Sequence, residues 1–118
     1  MRKYVVDTSA IIEKVVSQMH KEKKIEGTII VPNAVVAELE NQANKGLEIG
    51  FIGLEEIQDI RKLNFKIEFL GDRPNEFQIR QAKSGEIDAL IREIANNEKA
   101  ILVTADKVQS ESGKAFGL

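Results

Sequence analysis

The sequence predicts an α/β domain of three α/β/α layers, with helices on both faces of a central parallel sheet of four to five strands. Two observations carry this. Three short runs rich in β-branched and apolar residues, Tyr4 to Val6, Thr28 to Val31 and Ala100 to Val103, are each followed by turn or capping residues and then by a helical stretch. Strands and helices therefore alternate, the order expected of a parallel sheet covered on both faces.

The first run is too brief for a helix and leads into Asp7-Thr8-Ser9, a group of N-cap formers. The helix after it is expected to end in the basic stretch His20 to Lys24, where cations complement the helix dipole. Thr28 to Val31 precedes Pro32-Asn33 and a helix over Ala34 to Lys45. A helix around Leu54 to Leu63, a strand at Lys66 to Leu70 and a turn at Gly71 to Pro74 come next. Two helices, Glu76 to Lys83 and Glu86 to Asn97, precede the strand ending at Val103. Thr104-Ala105-Asp106 then opens the last helix. Gly117 has the place of a helix C-cap, and Leu118 that of the first residue of a further strand. Residues 1–118 are thus expected to form a single domain cut from a longer chain, with a ragged terminus as the plainer alternative.

Composition narrows the chemistry. A chain of 118 residues can bury one core without staples, and with no Cys it has no disulfide framework, thiolate zinc site or cysteine nucleophile. No apolar run approaches the roughly 20 residues of a spanning helix, and Asp7 interrupts the N-terminal stretch too early for a secretion signal. A soluble, cytoplasmic protein with no membrane partner is the expectation. Lys plus Arg number 17 against 19 Asp plus Glu, a net charge of −2, which excludes coating nucleic acid by global charge. Any nucleic-acid contact must be local.

In parallel α/β sheets, ligands meet the protein beyond the carboxyl ends of the strands, so acids placed there are informative. Asp7 directly follows Val6, and Asp106 follows Val103 by three residues. With those strands adjacent, both carboxylates reach one edge. Either alone could simply cap a helix, but Thr8, Ser9 and Thr104 are better placed to cap, which frees the aspartates. In the helix from Glu86 the apolar stripe is Ile87, Leu90, Ile91 and Ile94. Asp88 borders it in line with Ile91 and Ala95, while Glu86 falls on the solvent border. In the helix from Ala34 the stripe Val35, Val36, Leu39 and Ala43 is flanked by Glu38 and Glu40, and periodicity cannot choose between them. Carboxylates gathered this way repel by roughly 3 kcal/mol per pair at about 5 Å, so a cation must sit among them. Oxygen donors without Cys, and a lone His20 in a charged helix end, suit Mg²⁺ or Mn²⁺ and metal-assisted hydrolysis.

At this point the chain resembles the PIN-domain family. The segments YVVDTSAI, VPNAVVAELE, GEIDALIREIA and ILVTADKVQ match the family's four acidic stations in order, at Asp7, Glu38, Asp88 and Asp106. The position of Glu38 after the V-P-x-x-V stretch favours it over Glu40. Thr104 matches a family Thr two residues before the last Asp, in a supporting role, and Thr8 and Ser9 are taken as supporting too. The resemblance implies a metal-dependent endonuclease selective for single-stranded nucleic acid, RNA before DNA. GEIDALIREIA with TADKVQSESGKAFGL is similar to the N-terminal PIN module of archaeal proteins that continue into an ATPase and a KH segment, which implies a homo-oligomer built through that ATPase. Arg80, Lys83, Arg92 and Lys107 are candidate nucleic-acid contacts, each equally readable as an ordinary solvated charge.

Rival readings are weaker in the residues. A signalling receiver needs an adjacent acidic pair after the first strand, and a haloacid-dehalogenase-type phosphatase needs Asp-x-Asp. Thr8 and Ser9 deny both. A domain of the same fold that binds metal but serves assembly or nucleic-acid docking in a larger ATPase remains the alternative.

Overall fold

A computed structural model of the chain describes residues 2–81 and 86–118, with side chains excepted at 76, 80, 81 and 107–109. The order along the chain is β1 (Lys3–Val6), α1 (Thr8–Ile12), α2 (Val15–Lys21), β2 (Thr28–Pro32), α3 (Asn33–Asn44), α4 (Glu48–Arg61), β3 (Lys66–Leu70), α5 (Glu76–Gln81), α6 (Glu86–Asn97), β4 (Ile101–Val103) and α7 (Lys107–Ala115). The strands form one four-stranded sheet in the order β3-β2-β1-β4, and every pairing is parallel. This meets the lower bound of the predicted sheet.

The two central strands are buried along nearly all their length, as strands covered on both faces must be. Val5, Val6, Ile29, Ile30 and Val31 lie in the core with Ile11, Val35, Leu39, Ile60 and Ile91 from the helices. Burying an aliphatic side chain of this size is worth about 1.5–3 kcal/mol, so this sheet–helix seam dominates stability. The edge strands β3 and β4 are shorter in apolar content and partly exposed. Among the described residues no helix is long and apolar enough to cross a membrane.

Three predicted elements change in form. The first helix is two, because Lys14 takes a left-handed conformation at φ 57° and breaks it. The kink lets Ile11 and Val16 both reach the core. Nothing in Glu13-Lys14 announces it, since left-handed turns usually advertise themselves with Gly or Asn. The helix expected at Leu54 begins at Glu48 instead. Its first turns carry Gly50 and Gly53, which weaken helix propensity yet allow α4 to lie close on α3. A β-carbon on Gly50 would stand 2.3 Å from the Ala43 backbone nitrogen, and one on Gly53 would stand 2.4 Å from a Leu39 methyl. The third change is Leu90, placed in the apolar stripe of α6 by periodicity but 40% exposed. It borders an open groove with Phe77 and Pro74, while Ile91 and Ala95 occupy the buried line.

Helix ends follow their sequence signals. Asn75 and Gln78 form a reciprocal capping box at α5, each side chain bonding the other's backbone N–H at 2.7 and 2.8 Å. At the end of α7, Gly117 adopts φ 87°, its N–H donates to the Lys114 carbonyl and that of Leu118 to the Gly113 carbonyl. This is the Schellman arrangement, and Leu118 packs against the core.

Candidate acidic site at the strand ends

The strand order places the reversal of the sheet between β1 and β4. Sequence advances from β1 outward to β3, and β4 then returns to the other side of β1. Carboxyl ends of strands at such a reversal form a crevice because the connections leave in opposite directions. Asp7 and Asp106 follow those two strands.

Asp7 is 2% exposed and is itself the N-cap of α1, contrary to the expectation that Thr8, Ser9 and Thr104 would do the capping. Its extended backbone (φ −94°, ψ 177°) and the bond from its N–H to the Val103 carbonyl, 3.2 Å, prolong the β1–β4 ladder by one residue. That placement aims its side chain at the first turn of α1. Oδ1 accepts from the Ala10 N–H and from the Ser9 hydroxyl, both at 2.8 Å, and Oδ2 accepts from the Thr104 hydroxyl. The same two hydroxyls also accept from the loop after β4, Ser9 Oγ from the Ala105 N–H across the two loops and Thr104 Oγ1 from the Asp106 N–H within its own loop, each at 3.0 Å. Capping and membership of the acidic cluster are therefore compatible. The hydroxyls of Ser9 and Thr104 bind the loop after β1 to the loop after β4, which fixes where Asp106 begins.

Glu38 and Asp88 approach from the two helices. The carboxyl of Glu38 is pushed above its usual range, first by burial and then by the negative charges of Asp88 and Asp7, with the Thr8 hydroxyl opposing. That hydroxyl is buried and makes no hydrogen bond of ordinary geometry. Asp88 is also pushed up, first by burial, then by Asp7 and Asp106, while Arg92 holds it down. Like charges thus act on one another across all four acids. Glu40 stands apart, in a bidentate pair with Arg73 at 2.9 and 3.2 Å. The structure therefore separates the two glutamates that periodicity left equivalent. Glu86 is exposed, as its helical phase required.

Among the described residues, no three acids converge closely enough to make a ready metal shell. The donor chemistry nevertheless fits a hard divalent cation: carboxylate and hydroxyl oxygens, with burial and mutual repulsion raising the carboxyls of Glu38 and Asp88 despite the opposing Thr8 hydroxyl and Arg92 guanidinium. Of the candidate basic residues, Arg92 lies beside Asp88, while Lys83 and the side chains of Arg80 and Lys107 lie outside the described residues. Sequence reasoning missed the pairing of Arg92 with the Phe116 ring, 5.5 Å from guanidinium carbon to centroid. Its only sequence signal was an aromatic residue in the last turn of the chain.

The raised carboxyls carry a consequence for stability. Their folded-state values exceed the unfolded ones, so their contribution is fully present below the ordinary carboxylate range and is lost as pH rises through the raised values. In EDTA, the melting midpoint of the protein is expected to gain from these two groups as pH falls through their raised values toward the ordinary carboxylate range, and Asp88→Asn should show less of that gain. Saturating Mg²⁺ should reverse the trend, because protons then compete with the ion. Midpoints recorded across that range with and without metal test both signs.

Comparison with known proteins places the chain. The PIN domain model matches residues 4–114. An uncharacterised KH and PIN-domain containing protein of Methanocaldococcus jannaschii is 43% identical over 99% of this chain, which spans 19% of that relative's length. A solved domain of a functionally unknown protein from the same organism superposes with a TM-score of 0.93 at 42% identity, covering all of this chain and 88% of the other. PIN domains are generally metal-dependent nucleases, and this chain, matched over nearly its whole length in sequence and fold, belongs to the PIN-domain family.

Proposed function

We propose that this chain is a nuclease module that hydrolyses phosphodiester bonds of single-stranded nucleic acid, RNA in the first instance, using Mg²⁺ or Mn²⁺ held by Asp7, Glu38, Asp88 and Asp106. The observation that carries this reading is the mutual electrostatic action of the four acids at the sheet reversal, where Asp7 and Asp106 follow adjacent strands. The KH segment named in the relative is a nucleic-acid-binding module and supports the substrate class.

Each group has a distinct task. Asp7, anchored by three donors, is the fixed ligand, and Asp106 is set by the hydrogen bond from its own N–H to Thr104. Glu38 and Asp88 bring charge from α3 and α6, and burial raises the free energy of leaving that charge without a cation. Thr8 supports Glu38, while Ser9 and Thr104 hold the two loops together. When bound, the divalent ion supplies Lewis acidity and a water acidic enough to attack phosphorus at neutral pH. Arg92 meets the negative charge of the incoming strand.

The test is a cleavage assay on labelled single-stranded RNA and DNA. The purified protein should cut with Mn²⁺ or Mg²⁺ and be silent in EDTA, and Asp106→Asn should lower the rate by about 100-fold or more. Intact substrate under all metal conditions, or equal cutting by Asp106→Asn, contradicts the proposal.

A further inference from the structure

Arg92 lies one helical turn beyond Asp88 on the same face of α6, and its charge acts on that carboxylate. Its guanidinium sits over the Phe116 ring. Phe116 is 68% exposed, and the Schellman turn at Gly117 and the packing of Leu118 follow it directly. Beside the pair runs an open trough of about 240 Å³ lined by Ala89, Arg92, Glu93, Asn96, Phe116 and Leu118. An exposed aromatic ring fixed against a cation, next to a cluster of acids, calls for a ligand that is both anionic and flat.

We propose that Arg92 and Phe116 form a nucleotide clamp, in which Arg92 takes a phosphate neighbouring the hydrolysed one and the outer face of Phe116 stacks an unpaired base. The clamp rests on the nuclease reading and sharpens its substrate class. A polyanion approaching four carboxylates needs a local cation, and the guanidinium held on the ring is preorganised for it. Stacking on Phe116 requires a base released from its duplex partner, which makes the clamp a source of single-strand selectivity.

The chain has no Trp, so Phe116→Trp creates a unique fluorescent reporter at the clamp. In an Asp7→Asn background that prevents turnover, a single strand of about ten nucleotides should quench the indole, and the same sequence as a duplex should not. Phe116→Ala should weaken single-strand binding about tenfold or more. Arg92→Gln should weaken it and reduce the slope of log affinity against log salt by about one. Melting midpoints of all variants close to the parent's would show that the loss is local. If the parent binds single strands while Phe116→Ala binds as tightly and the indole is unquenched, the clamp is wrong and the nuclease reading stands. If the parent binds no single strand at all, the substrate class is wrong and the clamp falls with it.

Discussion

Replacing Asp7 with Asn is expected to lower metal-dependent cleavage by about 10³-fold or more while leaving the fold intact. The two effects separate because Asp7 does two things. As an N-cap it needs an oxygen to accept the Ala10 N–H, and Asn provides one about as well as Asp. As a ligand it needs negative charge, which Asn lacks. Removing one charge from a cluster that raises the pKa of Glu38 and Asp88 also relieves repulsion in the metal-free protein. The melting midpoint in EDTA should therefore change little or rise. Asp7→Ala is the contrasting variant. It removes the cap and strands the Ser9 and Thr104 hydroxyls and the Ala10 N–H, at about 2–4 kcal/mol. Cleavage rates and thermal midpoints from the same preparations distinguish the roles, and an unfolded Asn variant would make Asp7 a structural acid.

Gly50→Ala should produce a large loss of stability for a single added carbon. The added methyl would meet the Ala43 nitrogen at 2.3 Å and the Leu39 carbonyl oxygen at 2.6 Å, both backbone atoms of α3 that no side-chain rotation can clear. Helix propensity favours the substitution by about 1 kcal/mol. Overpacking against backbone costs more, so the net loss should be about 3 kcal/mol, with a midpoint about 10 °C lower. Because α3 carries Glu38, the same shift should weaken the response to metal. Denaturant melts of Gly50→Ala check this, and an unchanged midpoint would mean that the two helices do not cross as closely as described.

The fold could be read from the chain because its central strands are β-branched runs that leave no helical alternative, and because each is followed by residues that start a helix. Asp7 and Asp106 could be found for the same reason, as acids at strand ends. What escaped had no local signature. Lys14 breaks a helix with none of the residues that usually mark a left-handed turn, and the start of α4 was hidden by two glycines whose purpose is tertiary, the approach to α3. Glu38 and Glu40 flank one helical stripe symmetrically, so only their partners separate them: Asp7 and Asp88 on one side, Arg73 on the other. Thr8, Ser9 and Thr104 are expected from the sequence to cap in place of Asp7, whereas Asp7 caps α1 itself and its carboxylate has lone pairs for other partners besides. Leu90 obeys the period of α6 and still faces a groove, because periodicity gives a face and says nothing of how far its neighbours cover it.

In the proposed function Asp7, Glu38, Asp88 and Asp106 together bind a divalent cation. Titrating the protein into Mn²⁺ while following the paramagnetic resonance of the free ion measures this without requiring catalysis. The free signal should fall in the parent protein. Affinity should drop by about tenfold or more in Glu38→Gln and in Asp88→Asn, and Glu40→Gln should match the parent. A parent protein that leaves the Mn²⁺ signal unchanged, or a Glu40→Gln variant impaired as much as Glu38→Gln, would contradict the site described.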